Sequence, residues 1–365
     1  MIIFIFGLLF IHLNMAKRIG KRIIIIVAIS LALVIAAGGF YSYEIYSKMF
    51  LSNVSIGDKE YAYIYIPTGS TYADVISIIE ESGYVTSIES FKWAGSRMGY
   101  PYSVKSGRYK LANGTNNKDL VSILRAGLQT PVRVTFTGFR TPQQLAQLIA
   151  NQIEVDSTEI ANAFTDNEIP SQYGFNQQTF VAMFIPNTYE FFWNTNAKGF
   201  FDRMKKEYEI FWTVEKEQKA KDIGLSRVNV STLASIVEEE TIKVDERQRV
   251  AGVYINRLKR GIPLQADPTI KYAMGNFTIR RILTKHLSID SPYNTYKYRG
   301  LPPGPINSPS ISSINAVLNY ESHKYLYFCA KPDYSGYHAF AKNLSEHNKN
   351  AREYQRFLNK ERIYR

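Results

Sequence analysis

Cysteine is almost missing from this chain. Cys329 is the only one in 365 residues, which rules out an intramolecular disulfide; within the apolar run 325–330 it reads as a small core residue. Histidine is scarce as well, at five. There is no HExxH and no pair at helical spacing, so neither a metal centre nor any other cofactor is expected. The chain also lacks a GxSxG elbow, a P-loop and a dinucleotide-binding glycine pattern, which argues against serine hydrolase and nucleotide chemistry. Acid is in short supply: 32 Asp and Glu against 44 Lys and Arg leave a formal charge of +12. Such a balance suits nucleic acid, an anionic membrane surface or an acidic polymer. The basic residues are scattered and no nucleic-acid motif accompanies them, so nucleic acid is not expected as a partner.

What is present begins with an apolar segment. Residues 23–40 carry no charge, and at about 1.5 Å rise per residue they nearly span a hydrocarbon core of about 30 Å. Lys17, Arg18, Lys21 and Arg22 precede it, which places residues 1–22 in the cytoplasm and everything after 41 outside. No small-residue cleavage site follows closely, so a retained anchor over 23–41 is preferred to a cleaved signal. A second apolar run, 1–13, is too short to span. Met15 is the more natural start, making residues 1–14 a start-site artefact that a peptide beginning at Ile2 would refute.

Beyond the anchor, residues 42–59 read as a polar stem. Residues 60–130 read as a compact α+β unit: an alternating strand at 61–67, a helix with Val75, Ile76 and Ile79 on one face, a second at 90–98, a strand at 108–111, an Asn113-Gly114 turn and a helix capped by Asn117. A strand at 131–136 opens the remainder. Thr137-Gly138 followed by Thr141-Pro142 echoes Thr68-Gly69 and Thr71, a weak internal repeat. Helices follow at 156–164 and 200–223, the second with a charged, solvated face. Between them, Phe184-Ile-Pro-Asn-Thr-Tyr-Glu-Phe-Phe-Trp193 is open to two readings, a buried strand or a wall for stacking sugar rings. Aromatics make up 14% of the chain, led by 26 Tyr and 21 Phe, and most serve strands and cores on either reading. Further helices are expected at 245–260, with Asp245 as cap and Gln248 completing a capping box, and from Ser308. A helix with Asp267 as N-cap and Pro268 at its first position is expected between them. Strands at 324–330 and 337–340 pair, and a basic helix covers 345–360.

One acidic residue stands out. Leu233-Ala-Ser-Ile-Val-Glu-Glu-Glu-Thr241 reads as a helix capped by Ser231. At about 100° per residue, Leu233, Ile236, Val237 and Glu240 share a narrow face, leaving Ser235, Glu238 and Glu239 to solvent. A carboxylate in line with three aliphatic side chains is unfavourable unless compensated. Desolvation raises its pKa, giving the protonated carboxyl a general acid requires. The alternative is an ion pair between Glu240 and Arg247 or Arg249. Both readings stand on the pattern alone. With aromatics, amide- and hydroxyl-rich loops and an extracytoplasmic location, the acid reading suits cleavage of a carbohydrate polymer.

The same stretch resembles the catalytic helix of the YceG-like family of endolytic murein transglycosylases. The likeness continues through Val253-Tyr-Ile-Asn-Arg-Leu258, Leu264-Gln-Ala-Asp-Pro-Thr269, Tyr293-Asn-Thr-Tyr296, Gly300-Leu-Pro-Pro-Gly-Pro-Ile306, Tyr325-Leu-Tyr-Phe328 and Glu346-His-Asn348, in order and spacing over 180–355. It departs at Asn187, where Asp is usual, and at Ala266, where Thr is common. The resemblance implies an α+β protein with a single transmembrane helix, a LysM-like subdomain at 60–130 and a mixed α+β catalytic domain at 131–365. It implies Glu240 as the catalytic acid, the last acid before Thr in the Glu-x-Glu-Thr pattern.

The implied reaction is lytic. Glu240 would protonate the oxygen between N-acetylmuramic acid and N-acetylglucosamine, then deprotonate the muramic acid C6 hydroxyl, which closes on C1 to a 1,6-anhydro end. The implied setting is the inner (plasma) membrane, on nascent peptidoglycan strands whose elongation it would terminate, beside synthases of the penicillin-binding protein class. Candidate substrate contacts are Tyr189, Glu238, Asn256, Gln265, Asp267, Asn294, Tyr296 and His338, each with a structural role equally open to it. Two other functions stay open. A muramidase would use water and a second carboxylate roughly 5–9 Å from the first, for which Asp267 is the best candidate. A scaffold would bind glycan without cutting it.

Overall fold

The computed structural model describes residues 2–279 and 281–361, with side chains from residue 21 onward. The expectation for a start at Met15 concerns residues 1–14, whose side chains lie outside that description. The chain divides into two compact units, residues 1–130 and 131–365. Both mix helices with small two-stranded antiparallel sheets.

The first unit opens with α1, Ile2–Phe50. Its segment Lys21–Phe50 is long and apolar enough to cross a membrane by length and composition, and the aliphatic side chains of residues 23–35 are exposed. The expected polar stem, residues 42–59, begins as helix: α1 runs on through Phe50. No Pro or Gly interrupts residues 41–50, and i,i+4 neighbours hold the turns together. Glu44 pairs with Lys48 at 2.6 Å, and Tyr46 stacks on Phe50 at 5.4 Å.

Strand β1, Tyr61–Ile66, pairs with β2, Gly107–Ala112, from Tyr61↔Ala112 to Ile66↔Gly107. Helices α2, Tyr72–Ser82, and α3, Ile88–Arg97, lie between these strands in sequence, and α4, Asn117–Ala126, follows them. The cap of α4 is Asn116 rather than Asn117. Asn117 is buried because its amide is needed elsewhere: Nδ2 donates to the Lys48 carbonyl at 2.8 Å, locking the end of α1 in place.

In the second unit β3, Val132–Phe136, pairs with β4, Asn187–Phe191. Strands β1 and β3 each lead into one half of the weak repeat. Thr71 with Asp74, and Thr141 with Gln144, form capping boxes at the starts of α2 and α5, Pro142–Ala150. Segment 184–193 resolves into the buried-strand reading. Phe184, Tyr189 and Phe191 sit in the core with Phe139, Phe164, Phe180, Phe200 and Phe201. Several of these rings contact edge-on or tilted, as the ring quadrupole favours, while Phe184 stacks with Phe164 and Phe200. Helices α6, Ser157–Ala163, and α7, Glu168–Gln172, cover this cluster.

The charged window 200–223 is two helices, α8, Ala197–Phe211, and α9, Val214–Asp222. The break comes where Trp212 turns inward and Thr213 caps the next helix. Then come α10, Arg227–Glu240, α11, Arg247–Lys259, α12, Asp267–Ala273, and α13, Ile311–Leu318. Strands β5, Tyr327–Ala330, and β6, His338–Ala341, form the last hairpin, against which α14, Leu344–Lys360, packs. Cys329 lies on β5 half-buried rather than inside the core.

Candidate active site

The site is built on the end of α10. Its cap is Ser226, whose Oγ accepts the Asn229 amide at 3.1 Å, so the helix begins a turn earlier than Ser231 suggests. It is enclosed on all sides over residues 230–237. The polar face expected in solvent is therefore covered, by α13 and the proline-rich loop at 300–306. Ser235 is fully buried and accepts the Ile306 amide at 3.0 Å.

Glu238 takes the Ser310 amide at 2.8 Å, the Ser310 hydroxyl and the Ser313 hydroxyl at 2.6 Å, with Arg247 at 3.8 Å. It anchors the start of α13. Glu239 is gripped by Arg140 at 2.8 Å and by Asn307 at 2.8 Å. Arg249 is taken by Glu321 at 2.9 Å. Both arginines that might have neutralised Glu240 are thus committed elsewhere.

Glu240 faces a cavity of about 410 Å³. Its Oε1 accepts the Tyr254 hydroxyl at 2.7 Å. Burial pushes the carboxyl pKa from 4.5 up to about 7; the Tyr254 hydrogen bond opposes the rise, the Asp267 charge adds to it, and Lys271 and Arg257 oppose it. Near neutral pH this carboxyl group carries its proton about half of the time, as proton donation to a leaving group requires.

Tyr254 reaches Glu240 from α11. This helix does not start at an Asp245 cap. A 3-10 turn, Val244–Glu246, precedes it without any side-chain cap, because Glu246 is turned inward. Its carboxylate receives the His338 amide at 2.8 Å, His338 Nδ1 at 2.6 Å and the Thr241 hydroxyl at 3.2 Å. Thr241 immediately follows Glu240, so this cluster fixes the backbone from which Glu240 projects. Gly252 admits the neighbouring segment: a Cβ there would lie 2.4 Å from the Glu321 carbonyl oxygen.

Asp267 and Tyr296 line the cavity. Asp267 does not cap α12, which has no side-chain cap. Its Oδ1 instead accepts the Tyr296 hydroxyl at 2.6 Å. Gln265 also lines the cavity, in a left-handed conformation at φ +54° that non-glycine residues seldom adopt.

Besides Glu238, four candidates are not in the cavity lining. Tyr189 is buried, its hydroxyl donating to the Ile185 carbonyl at 2.5 Å. Asn256 donates to the His323 and Tyr325 carbonyls at 2.8 and 3.0 Å. Asn294 is buried and braces its loop through the Leu287 and Ile289 carbonyls at 2.9 and 2.8 Å. His338 is held by Glu246. Each satisfies a local backbone or side-chain need, as buried polar groups must.

Residues the sequence reading passed over complete the wall: Tyr254, Arg257, Tyr327, Phe328 and His347. Tyr254 and Arg257 are i,i+3 neighbours in Val253-Tyr-Ile-Asn-Arg-Leu258, where a tyrosine among aliphatic residues reads as packing. Its ring does pack, edge-on to Phe328 at 5.9 Å. Among the described residues, no group of three or more His, Cys, Asp or Glu side chains is placed to hold a metal ion.

Known proteins resemble this chain over most of its length. An endolytic murein transglycosylase of Bacillus subtilis is 31% identical over 327 residues, covering 85% of this chain and 89% of its own length. One from Streptococcus pneumoniae is 30% identical over 370 residues, 92% of this chain and 65% of its own length. A crystal structure of a YceG-like protein from Listeria monocytogenes superposes with a TM-score of 0.52 at 28% identity, covering 80% of this chain and 99% of that one. The sequence profile of the YceG-like family matches residues 64–353. The chain belongs to the YceG-like family.

Proposed function

We propose that this protein is a membrane-anchored endolytic murein transglycosylase that cuts the N-acetylmuramic acid–N-acetylglucosamine bond with Glu240 as its acid and base. The carrying observation is the desolvated Glu240 carboxyl, with a pKa of about 7 and Tyr254 on one oxygen. With Oε1 occupied as an acceptor, the acidic hydrogen falls to Oε2. Glu240 gives it to the glycosidic oxygen as the bond to C1 breaks. The resulting carboxylate takes the proton of the muramic acid C6 hydroxyl, whose oxygen closes on C1 to leave a 1,6-anhydro end. One carboxyl group suffices because the nucleophile belongs to the substrate. Both curated relatives named above are called endolytic murein transglycosylases.

Anchoring rests on the exposed apolar length of α1 and the basic residues before it. It puts the catalytic unit on the extracytoplasmic side of the plasma membrane, where nascent strands beside the synthases are the nearest substrate and their termination the consequence. The first unit, as a LysM-like module, would meet the same glycan.

One observation favours a second reading. Asp267 shares the cavity with Glu240, and a second carboxylate is what a water-using muramidase needs. Mass spectrometry of fragments from uncrosslinked strands separates the two: anhydro ends support the lyase, whereas reducing ends sink it. Glu240→Gln abolishes release on either enzymatic reading, and unchanged release with the amide would leave Glu240 without this role.

A further inference from the structure

Arg257 is unusual for a buried cation. It lies on α11 three residues after Tyr254, is 7% exposed and lines the Glu240 cavity. Nε donates to the Leu326 carbonyl at 2.7 Å. Nη1 donates to the Pro263 and Leu264 carbonyls at 3.1 and 2.7 Å and to Gln265 Oε1 at 3.3 Å. The guanidinium lies 5.0 Å from the Tyr327 ring centroid. Among the described residues Nη2 donates to nothing, yet it is not sealed from solvent, and no carboxylate comes within ion-pair distance of the group.

A guanidinium keeps its charge and only donates hydrogen bonds. Burying it without a counter-ion is unfavourable, and four acceptors and a ring offset that in part. The remaining donor pair belongs to a side chain that lines the cavity in which, on the glycan reading, the substrate sits. Two chemical demands follow. The partner must present an acceptor oxygen, and it must not bring a second positive charge. Asp267 is the opposing charge in this cavity, with Oδ1 already taken by Tyr296.

This step rests on the glycan reading above. Acyl carbonyl oxygens are stronger acceptors than the hydroxyl and ring oxygens that the muramic acid and glucosamine residues also carry, and removal of an N-acetyl group replaces one by an ammonium. We infer that Arg257 is a specificity-determining residue, whose Nη2 takes the N-acetyl carbonyl oxygen of a sugar flanking the cut and which turns away the de-N-acetylated sugar. Loss of one charged hydrogen bond accounts for on the order of a 10- to 100-fold preference, and like-charge repulsion adds to it.

The test uses the full chain in detergent with three samples of uncrosslinked strands: native, de-N-acetylated, and de-N-acetylated then chemically re-N-acetylated. The wild type is expected to cut the first and third alike and the second at least tenfold less well in kcat/KM. Arg257→Gln, which removes the charge, brings the ratio within about threefold. Arg257→Lys keeps the charge and still rejects the ammonium. No cutting of native strands by the wild type defeats the glycan reading itself. Equal cutting of native and de-N-acetylated strands by the wild type overturns this inference alone, as does an Arg257→Gln ratio equal to that of the wild type. Should Arg257→Gln fail to fold, the wild-type and Arg257→Lys arms still decide: equal cutting by either one overturns it.

Discussion

Replacing Glu240 by glutamine makes the second unit more stable at high pH, in the same step that stops its chemistry. Glu240 titrates at about 7 in the folded protein against an ordinary 4.5. A carboxyl group with a raised folded pKa favours folding fully below its unfolded value. That contribution is lost as pH rises through the folded value, because ionisation is then harder in the fold than outside it. The span between the two corresponds to about 3 kcal/mol. The glutamine cannot ionise, so it escapes this penalty while still offering an oxygen to Tyr254. Below pH 4.5 the two proteins should open with nearly equal free energies. Between pH 4.5 and 7 the variant gains progressively, and by pH 8 it leads by up to about 3 kcal/mol. Hydrogen exchange of α10 and α11 peptides, compared at matched pH in the full-length chain, reads this locally and avoids assuming a single unfolding transition. A variant no more stable at pH 8 than the wild type, or one whose advantage is largest in acid, would mean that Glu240 is a satisfied anion. The acid role would then lose its physical basis.

Activity of the wild type in kcat/KM should fall as pH rises through about 7, since the acid must be protonated in the free enzyme. Tyr254→Phe removes the hydrogen bond that holds this value down. Its alkaline limb should move up and its kcat should drop by about tenfold as the carboxyl loses its orientation, both visible in one pH–rate series. Glu238→Ala frees the start of α13 and strips Arg247 of its carboxylate. It should cost about 2–4 kcal/mol, read as a lowered thermal midpoint, with KM of the folded fraction unchanged. The full chain should require detergent for release from membranes and resist high salt, whereas a chain lacking residues 1–40 should appear in the soluble fraction; extraction of the full chain by salt alone would remove the anchor.

Local signals carried much of this fold. Capping residues, proline and glycine stops and alternating strands located most elements to within a few residues, because those signals act over one turn or one strand. Where the reading slipped, tertiary contacts had overridden a local preference. Ser231 could cap a helix but is buried within one. Asp245 and Asp267 sit where caps are common, yet neither caps. Glu246 is drawn to His338 and Thr241, and Asp267 to Tyr296, partners 92, 5 and 29 residues away.

The place of Glu240 beside the cavity was legible because one helical face sets it in line with Leu233, Ile236 and Val237. The helical wheel failed for Ser235, Glu238 and Glu239, since it could not foresee α13 and a proline loop closing over the other side. Tyr254 and Arg257 were missed for a related reason. A tyrosine on an apolar face looks complete as packing, and only the position of α10 shows that its hydroxyl has work at the far end. Asn256 and Asn294 brace backbone carbonyls outside the cavity lining, the commonest employment of a buried amide.

The uninterrupted run of α1 into the first unit has a mechanical consequence. A disordered leash would let the folded part roam over the bilayer. Helix continuing for about ten residues past the apolar stretch, some 15 Å at its usual rise, and clamped at Lys48 by Asn117, acts as a strut. On the anchored reading, the first unit stands at a set height and keeps its heading, turning only when the whole span turns in the lipid.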